Sequence, residues 1–192
     1  MKIDFKREIG AYRARQGRFE VVDVPDLQYL MIDGQGDPNA GPEFGEATAA
    51  LYPIAYRLKF ASKKTLGRDY VVMPLEGLWW ADDMSSFTAA RDKTRWSWTL
   101  MIMVPSWIDR AMFVDAGGDD GVRLATLSEG KCVQTLHVGS YDDEGPALAR
   151  MHDEFIPANG LRMTGRHHEI YLSDARRVPP ERLRTILRQP VV

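Results

Sequence analysis

Apolar and polar positions divide the chain into blocks whose order repeats. Residues 19–39, FEVVDVPDLQYLMIDGQGDPN, are rich in β-branched and aromatic side chains and close on Gly34, Gly36, Asp37 and Pro38, a pattern of strand then turn. In the following stretch, Phe44, Ala47, Leu51, Ile54 and Leu58 fall on one helical stripe. Pro53 lies within that stripe and is expected to kink or shorten the helix. DYVVMPLEGLWW (69–80) and TRWSWTLMIMVP (94–105) read as two strands joined by a polar connection, and a short helix is expected from about Ser106 to Val114. The order then recurs. GKCVQTLHVGSY (130–141) reads as a strand, and DDEGPALARMHDEFIPANG as a helix with Leu148, His152 and Phe155 on one face. RHHEIYLSDARR (166–177) reads as a strand, and PPERLRTILRQP as a short closing helix with proline at its start.

Strand, helix, strand, strand in each half predicts an α+β fold built from duplicated β-α-β-β modules. The expected architecture is an antiparallel sheet with helices on one face and a central ligand groove where the modules meet. The modules span about 19–115 and 122–192 and form one domain, 19–192, preceded by a lead-in segment, 1–18. Residues 1–20 carry Lys2, Lys6, Arg7, Arg13, Arg15 and Arg18 against three acids. This is either a nucleic-acid arm or a solvated lead-in. Charges of both signs are mixed, and the segment is too short for a helix-turn-helix domain, so no direct DNA binding is expected.

Composition narrows the class. The 192 residues are 44% hydrophobic and 27% charged, enough for a sizeable core, and the net charge is −2. That balance argues against general affinity for nucleic acid or an anionic membrane. The single cysteine, Cys132, excludes an intrachain disulfide framework. No apolar run reaches the ~20 residues of a membrane span, and the start, MKIDFKREIG, has no signal core. A cytoplasmic globular protein with no membrane association is expected.

Most catalytic motifs are missing. Asp33-Gly34-Gln35-Gly36-Asp37 lacks the Lys-Ser/Thr ending of a phosphate loop, and Ser140 lacks the second glycine of a nucleophile elbow. Cys132 reads as a buried strand residue. His167 and His168 are adjacent, so on a strand they point to opposite faces, and neither a metal nor another cofactor is expected.

The informative segment is His167-His168-Glu169-Ile170-Tyr171-Leu172. On a strand, His168, Ile170 and Leu172 share the face expected to pack on the helices, and His167, Glu169 and Tyr171 share the other. Glu169 is then either an ordinary surface acid or a sheltered carboxylate beside aromatics, poised as a proton acceptor. Glu76 holds a similar place in the first half. Four of the five tryptophans, Trp79, Trp80, Trp96 and Trp98, crowd into 20 residues. They fill a core, or they wall a receptor for planar or cationic molecules. Trp79 and Trp80 point to opposite faces, while Trp96 and Trp98 share one.

Together LMIDGQGDPN, MPLEGLWW, WSWTLMI, HVGSYDDEGPALARMH and HHEIYLSDARR resemble the GyrI-like small-molecule-binding proteins, from about residue 20 to the end. The resemblance implies two β-α-β-β modules related by a pseudo-twofold, with a ligand groove between them. Within the family the chain is similar to the stand-alone branch that includes cyclopropanoid cyclopropyl hydrolases. Trp79, Trp80 and the His-Glu-Ile-Tyr strand carry that similarity. It implies binding of hydrophobic or planar xenobiotics in an aromatic cage, and hydrolysis of the cyclopropane of duocarmycin-type DNA-alkylating agents. Glu169 and Tyr171 are the implied catalytic residues, acting on water and on the ligand carbonyl. Trp79, Trp80, Trp98, Glu76, Tyr56, Tyr141 and Phe155 are the candidate ligand contacts. Met103-Val104 stands where the family suggests a polar pair, and Ser140 where it suggests proline. Other relatives only bind, so a non-catalytic multidrug-binding or sensing module, with Glu169 meeting cations, is the alternative. A modulator of a topoisomerase is the third.

Overall fold

The computed structural model describes residues 2–82, 93–119 and 121–192. In chain order its elements are β1 (Lys2–Ile3), α1 (Phe5–Glu8), β2 (Glu20–Val24), β3 (Leu27–Gln35), α2 (Glu43–Leu66), β4 (Asp69–Tyr70), β5 (Leu75–Trp80) and β6 (Ser97–Met103). They continue as α3 (Arg110–Asp115), β7 (Arg123–Leu127), β8 (Gly130–Val138), α4 (Gly145–Ala149), α5 (Ile156–Ala158), β9 (His167–Tyr171) and β10 (Arg184–Pro190). Most of the polar connection expected between β5 and β6 lies outside the described residues.

Eight strands form one antiparallel sheet in the order β2-β8-β10-β9-β5-β6-β3-β7, curled into a half-barrel. The order is symmetrical about the β9–β5 boundary. On one side lie β3, α2, β5 and β6; on the other β8, α4, β9 and β10. Each unit is a β-α-β-β module whose third element in the chain reaches the centre. The leading strands are exchanged: β2 precedes β3 in the chain but pairs with β8, and β7 precedes β8 but pairs with β3. The two halves are thereby sewn into one sheet.

Both helical walls stand on the same face. α2 carries Glu43 and Glu46 in its first turn and Lys63 and Lys64 in its last, which suits the helix dipole, and it ends on Gly67 at φ 67°. Ala47, Leu51, Ile54 and Leu58 are buried, and the helix packs on β3 and β6. Pro53 does not shorten it: the helix runs 24 residues through the proline. Pro53 cannot donate to the Ala49 carbonyl, but both residues lie on the groove side, away from the core stripe. The second wall is irregular. After α4 the chain widens into a π-helical segment, Arg150–Phe155, before α5, and Met151 and Ile156 pack with Val133 and Leu187 in a small second core.

The closing segment departs from the expected helix. It is a single 3-10 turn, Pro180–Arg182, followed by β10. All of β10 except Arg184 is buried, because the strand is sandwiched between β8 and β9 with helices over one face and the N-terminal segment over the other. Apolar residues on both sides of a central strand erase the alternation that marks a half-exposed one.

Candidate functional site

Between α2 and the α4 wall the sheet is left open, giving a groove of about 1750 Å³. Its floor comes from the central strands β5 and β9. Register fixes which side chains reach it: Gly77 lies opposite Glu169, and Trp79 opposite His167. The expected face assignment is therefore reversed, since the helices flank the side carrying His167, Glu169 and Tyr171.

On that floor a hydrogen-bonded chain crosses from one module to the other. Trp79 Nε1 donates to the Tyr171 hydroxyl at 3.0 Å, and Tyr171 donates to Glu169 Oε2 at 2.8 Å. Indole N–H is only a donor and an ionised carboxylate only an acceptor, so the direction is determined. The Glu169 side chain is 14% exposed, and its Oε1 lies 3.3 Å from His167 Nε2. Burial and the neighbouring Glu169 charge push the Tyr171 phenol far above its ordinary range, so it stays protonated. Gly77 makes the arrangement possible. A Cβ there would lie 2.8 Å from Trp79 Nε1 and 3.1 Å from the Tyr171 hydroxyl.

Aromatic rings surround this chain. Phe44 stacks on Trp79 at 6.1 Å, and Trp96 meets Trp79 edge-on at 5.8 Å. Tyr141 meets Tyr171 edge-on at 5.6 Å, and burial raises its phenol to about 12. Tyr52 and Tyr56 of α2 line the opposite wall.

Of the residues singled out from the sequence, Glu169, Tyr171, Trp79, Tyr56 and Tyr141 border the groove. Trp98 lies beneath it, 2% exposed, in edge contact with Phe44 and over Gly34. The structure does not bring Trp80, Glu76 or Phe155 to the groove. Trp80 and Glu76 have the other strand parity: Trp80 stacks under Arg166 at 3.5 Å, and Glu76 is fully buried on the far side. Phe155 turns away to pack on Phe19, because a π turn carries more residues than an α turn and rotates it off the Leu148–His152 face. Phe44, His152, His167 and Gly77 are site residues that the sequence pattern did not single out, and Trp96, weighed there as core or wall, was not among the candidate contacts. Parity with Glu169 pointed to His167, and a glycine inside a strand signals a close approach.

Directly behind the floor lies a second polar assembly. Glu76 accepts from Tyr12 at 2.6 Å and Tyr29 at 3.2 Å, and His168 bridges Glu76 and Glu129, 2.9 Å from each. Arg188 completes it, donating to Glu129 at 3.0 Å, Gln134 at 3.1 Å and the Ala11 carbonyl at 2.6 Å. Burial opposes charge on both Glu129 and His168, yet the partners prevail. His168 and Arg188 pull Glu129 down to about 2, and Glu129 and Glu76 raise His168. Every charge here has an opposite and a hydrogen bond, which buried ions require. Among the described residues no group of three or more His, Cys, Asp or Glu side chains is placed to hold a metal ion, and no helix is long and apolar enough to cross a membrane.

A symmetrical half-barrel whose helices part over an aromatic floor defines a small-molecule-binding class. Comparison with known proteins agrees: residues 18–192 match the model of the GyrI-like small molecule binding domain, and the chain belongs to that family. No curated protein matches it. A conserved uncharacterized protein of Listeria innocua is 38% identical with a TM-score of 0.88, each chain covered completely. A hydrolase from the same organism is 37% identical with a TM-score of 0.86, again over 100% of both chains. The EcmrR C-terminal domain shares the fold alone, at 12% identity and TM-score 0.59 over 91% of this chain and 97% of that one.

Proposed function

We propose that the protein binds flat, hydrophobic electrophiles in an aromatic cage and hydrolyses the strained cyclopropane of duocarmycin-type DNA-alkylating agents, a detoxification. The observation that carries this reading is the sheltered carboxylate of Glu169, held by Tyr171 and Trp79 on the floor of an aromatic groove. The likeness over the full chain to a protein described as a hydrolase supports it.

In this reading the ligand stacks against Phe44, Trp79 and Trp96. Oxygen of a water attacks the ring CH₂, the ring C–C bond breaks, and its electron pair moves through the dienone to leave a phenolate oxygen. Glu169 takes the water proton through Oε1, the oxygen that Tyr171 does not use. The phenolate takes a proton from solvent and Glu169 returns one to solvent, so the sum is one water added. The hydroxyl proton of Tyr171 is committed to Glu169, so Tyr171 orients the base rather than protonating the carbonyl.

The test is incubation with a cyclopropanoid and mass spectrometry of the recovered compound. Gain of one water, dependent on the protein, supports hydrolysis. Binding without that gain assigns the groove to a non-catalytic multidrug-binding or sensing role, with the Glu169 charge available to a cationic ligand.

A further inference from the structure

One end of the groove carries chemistry that the floor chain does not use. His167 lies beside Glu169 with its side chain 7% exposed, and neither Nδ1 nor Nε2 makes a hydrogen bond. The 3.3 Å approach of Nε2 to Glu169 suits charge pairing when the ring is protonated but is not aligned as a hydrogen bond. His152 faces this ring edge-on, centroids 6.1 Å apart at 85°, and its Nε2 is likewise buried without a hydrogen bond. Both rings line the groove. Buried polar atoms without partners are uncommon, and three within one pair of side chains ask for a reason.

Backbone geometry gives an independent one. His152 sits inside the π-helical segment Arg150–Phe155, and such turns are frequent at functional sites because they redirect a side chain at the cost of helical regularity. Here the π turn sends Phe155 into the second core and leaves His152 over the groove. Burial and the neighbouring His167 hold the His152 imidazole down at about 4, so at neutral pH it carries one N–H and one free lone pair. An uncharged imidazole can both give and accept. A permanently cationic group would gain nothing from the N–H.

We propose that His152 and His167 form a polar subsite of the groove that receives the hydroxyl or amide group of a flat aromatic ligand. This rests on the reading of the groove as an aromatic receptor and adds a chemical class: neutral, protic aromatics over their wholly apolar counterparts. The Phe44–Trp79–Trp96 region holds the rings, and the histidine pair sets the orientation of the polar end.

The experiment uses β-naphthol and its methyl ether, which keep the same rings and oxygen and differ by a methyl group in place of the donor hydrogen. Binding is measured by calorimetry to the whole protein and to His152→Phe and His167→Phe, with NMR of labelled histidine in the wild type. The expected result is that β-naphthol binds about three- to tenfold more tightly than the ether, the worth of one net hydrogen bond. That preference should vanish in at least one variant, and β-naphthol alone should shift the His152 and His167 ring resonances. Equal affinities with both resonances unmoved, or a preference that survives in both variants, would overturn the subsite while leaving the groove reading intact. Failure of both probes to bind would overturn the groove reading and the subsite with it. The NMR arm on the wild type decides the matter even where a variant folds poorly.

Discussion

Replacing Glu169 by glutamine separates base catalysis from binding, and the surroundings show why the substitution is clean. The side chain keeps its size. Its amide oxygen can still accept from Tyr171, which now lies 2.8 Å from Oε2. Its NH₂ takes the place of Oε1, 3.3 Å from His167 Nε2, where the carboxylate makes no hydrogen bond either. No existing hydrogen bond is lost, so the usual ~1–3 kcal/mol for an abandoned buried polar group is avoided and stability should change little. The loss is the ability to take a proton near neutral pH. If Glu169 is the base, hydrolysis of a cyclopropanoid should slow by ~10²–10⁴-fold, or about 3–5 kcal/mol of barrier, while affinity for the ring-opened neutral product stays within about twofold. Turnover followed by mass spectrometry and a Kd from tryptophan fluorescence give both numbers. Tyr171→Phe is the contrasting case: it abandons the Trp79 indole N–H and frees the carboxylate to rotate, so rate and stability should both fall. Wild-type turnover by Glu169→Gln, with the product bound normally, would refute the carboxylate as base.

Three further outcomes follow from the packing and the charges. Gly34→Ala places a Cβ 2.1 Å from the Trp98 ring, so it should cost ~1–3 kcal/mol in urea unfolding and weaken ligand binding through Phe44; unchanged stability would mean that Trp98 has room to move. Removing residues 2–17 should destabilise the fold by at least ~3 kcal/mol, although the family match begins at residue 18, because Tyr12 and the Ala11 carbonyl are partners of the buried Glu76 and Arg188; a truncated chain as stable as the whole would contradict this. Stability should be highest between the ordinary values of Glu129, 4.5, and His168, 6.5. The Glu129 contribution is complete above the first and lost as pH falls toward about 2, whereas that of His168 is complete below the second and lost as pH rises through its raised value. Urea midpoints across pH test the window, and an acid limb undiminished in Glu129→Gln would count against Glu129 as its source.

The pattern of side chains alone determined a good deal. The repeated strand–helix–strand order, the α+β class and the shared face of His167, Glu169 and Tyr171 all follow from period and parity, which are local properties of the chain. Parity states which residues lie together but not which face is covered, so the choice of Trp79 over Trp80, and of Glu169 over Glu76, waited on where the helices dock. β10 was hidden because neighbours on both sides and cover on both faces remove the alternation by which a strand is recognised. The assembly of Ala11, Tyr12, Glu76, Glu129, His168 and Arg188 joins residues up to 177 positions apart, a meeting that only strand order and the returning N-terminal segment produce. The displacement of Phe155 likewise came from a π turn, which no spacing of apolar residues announces.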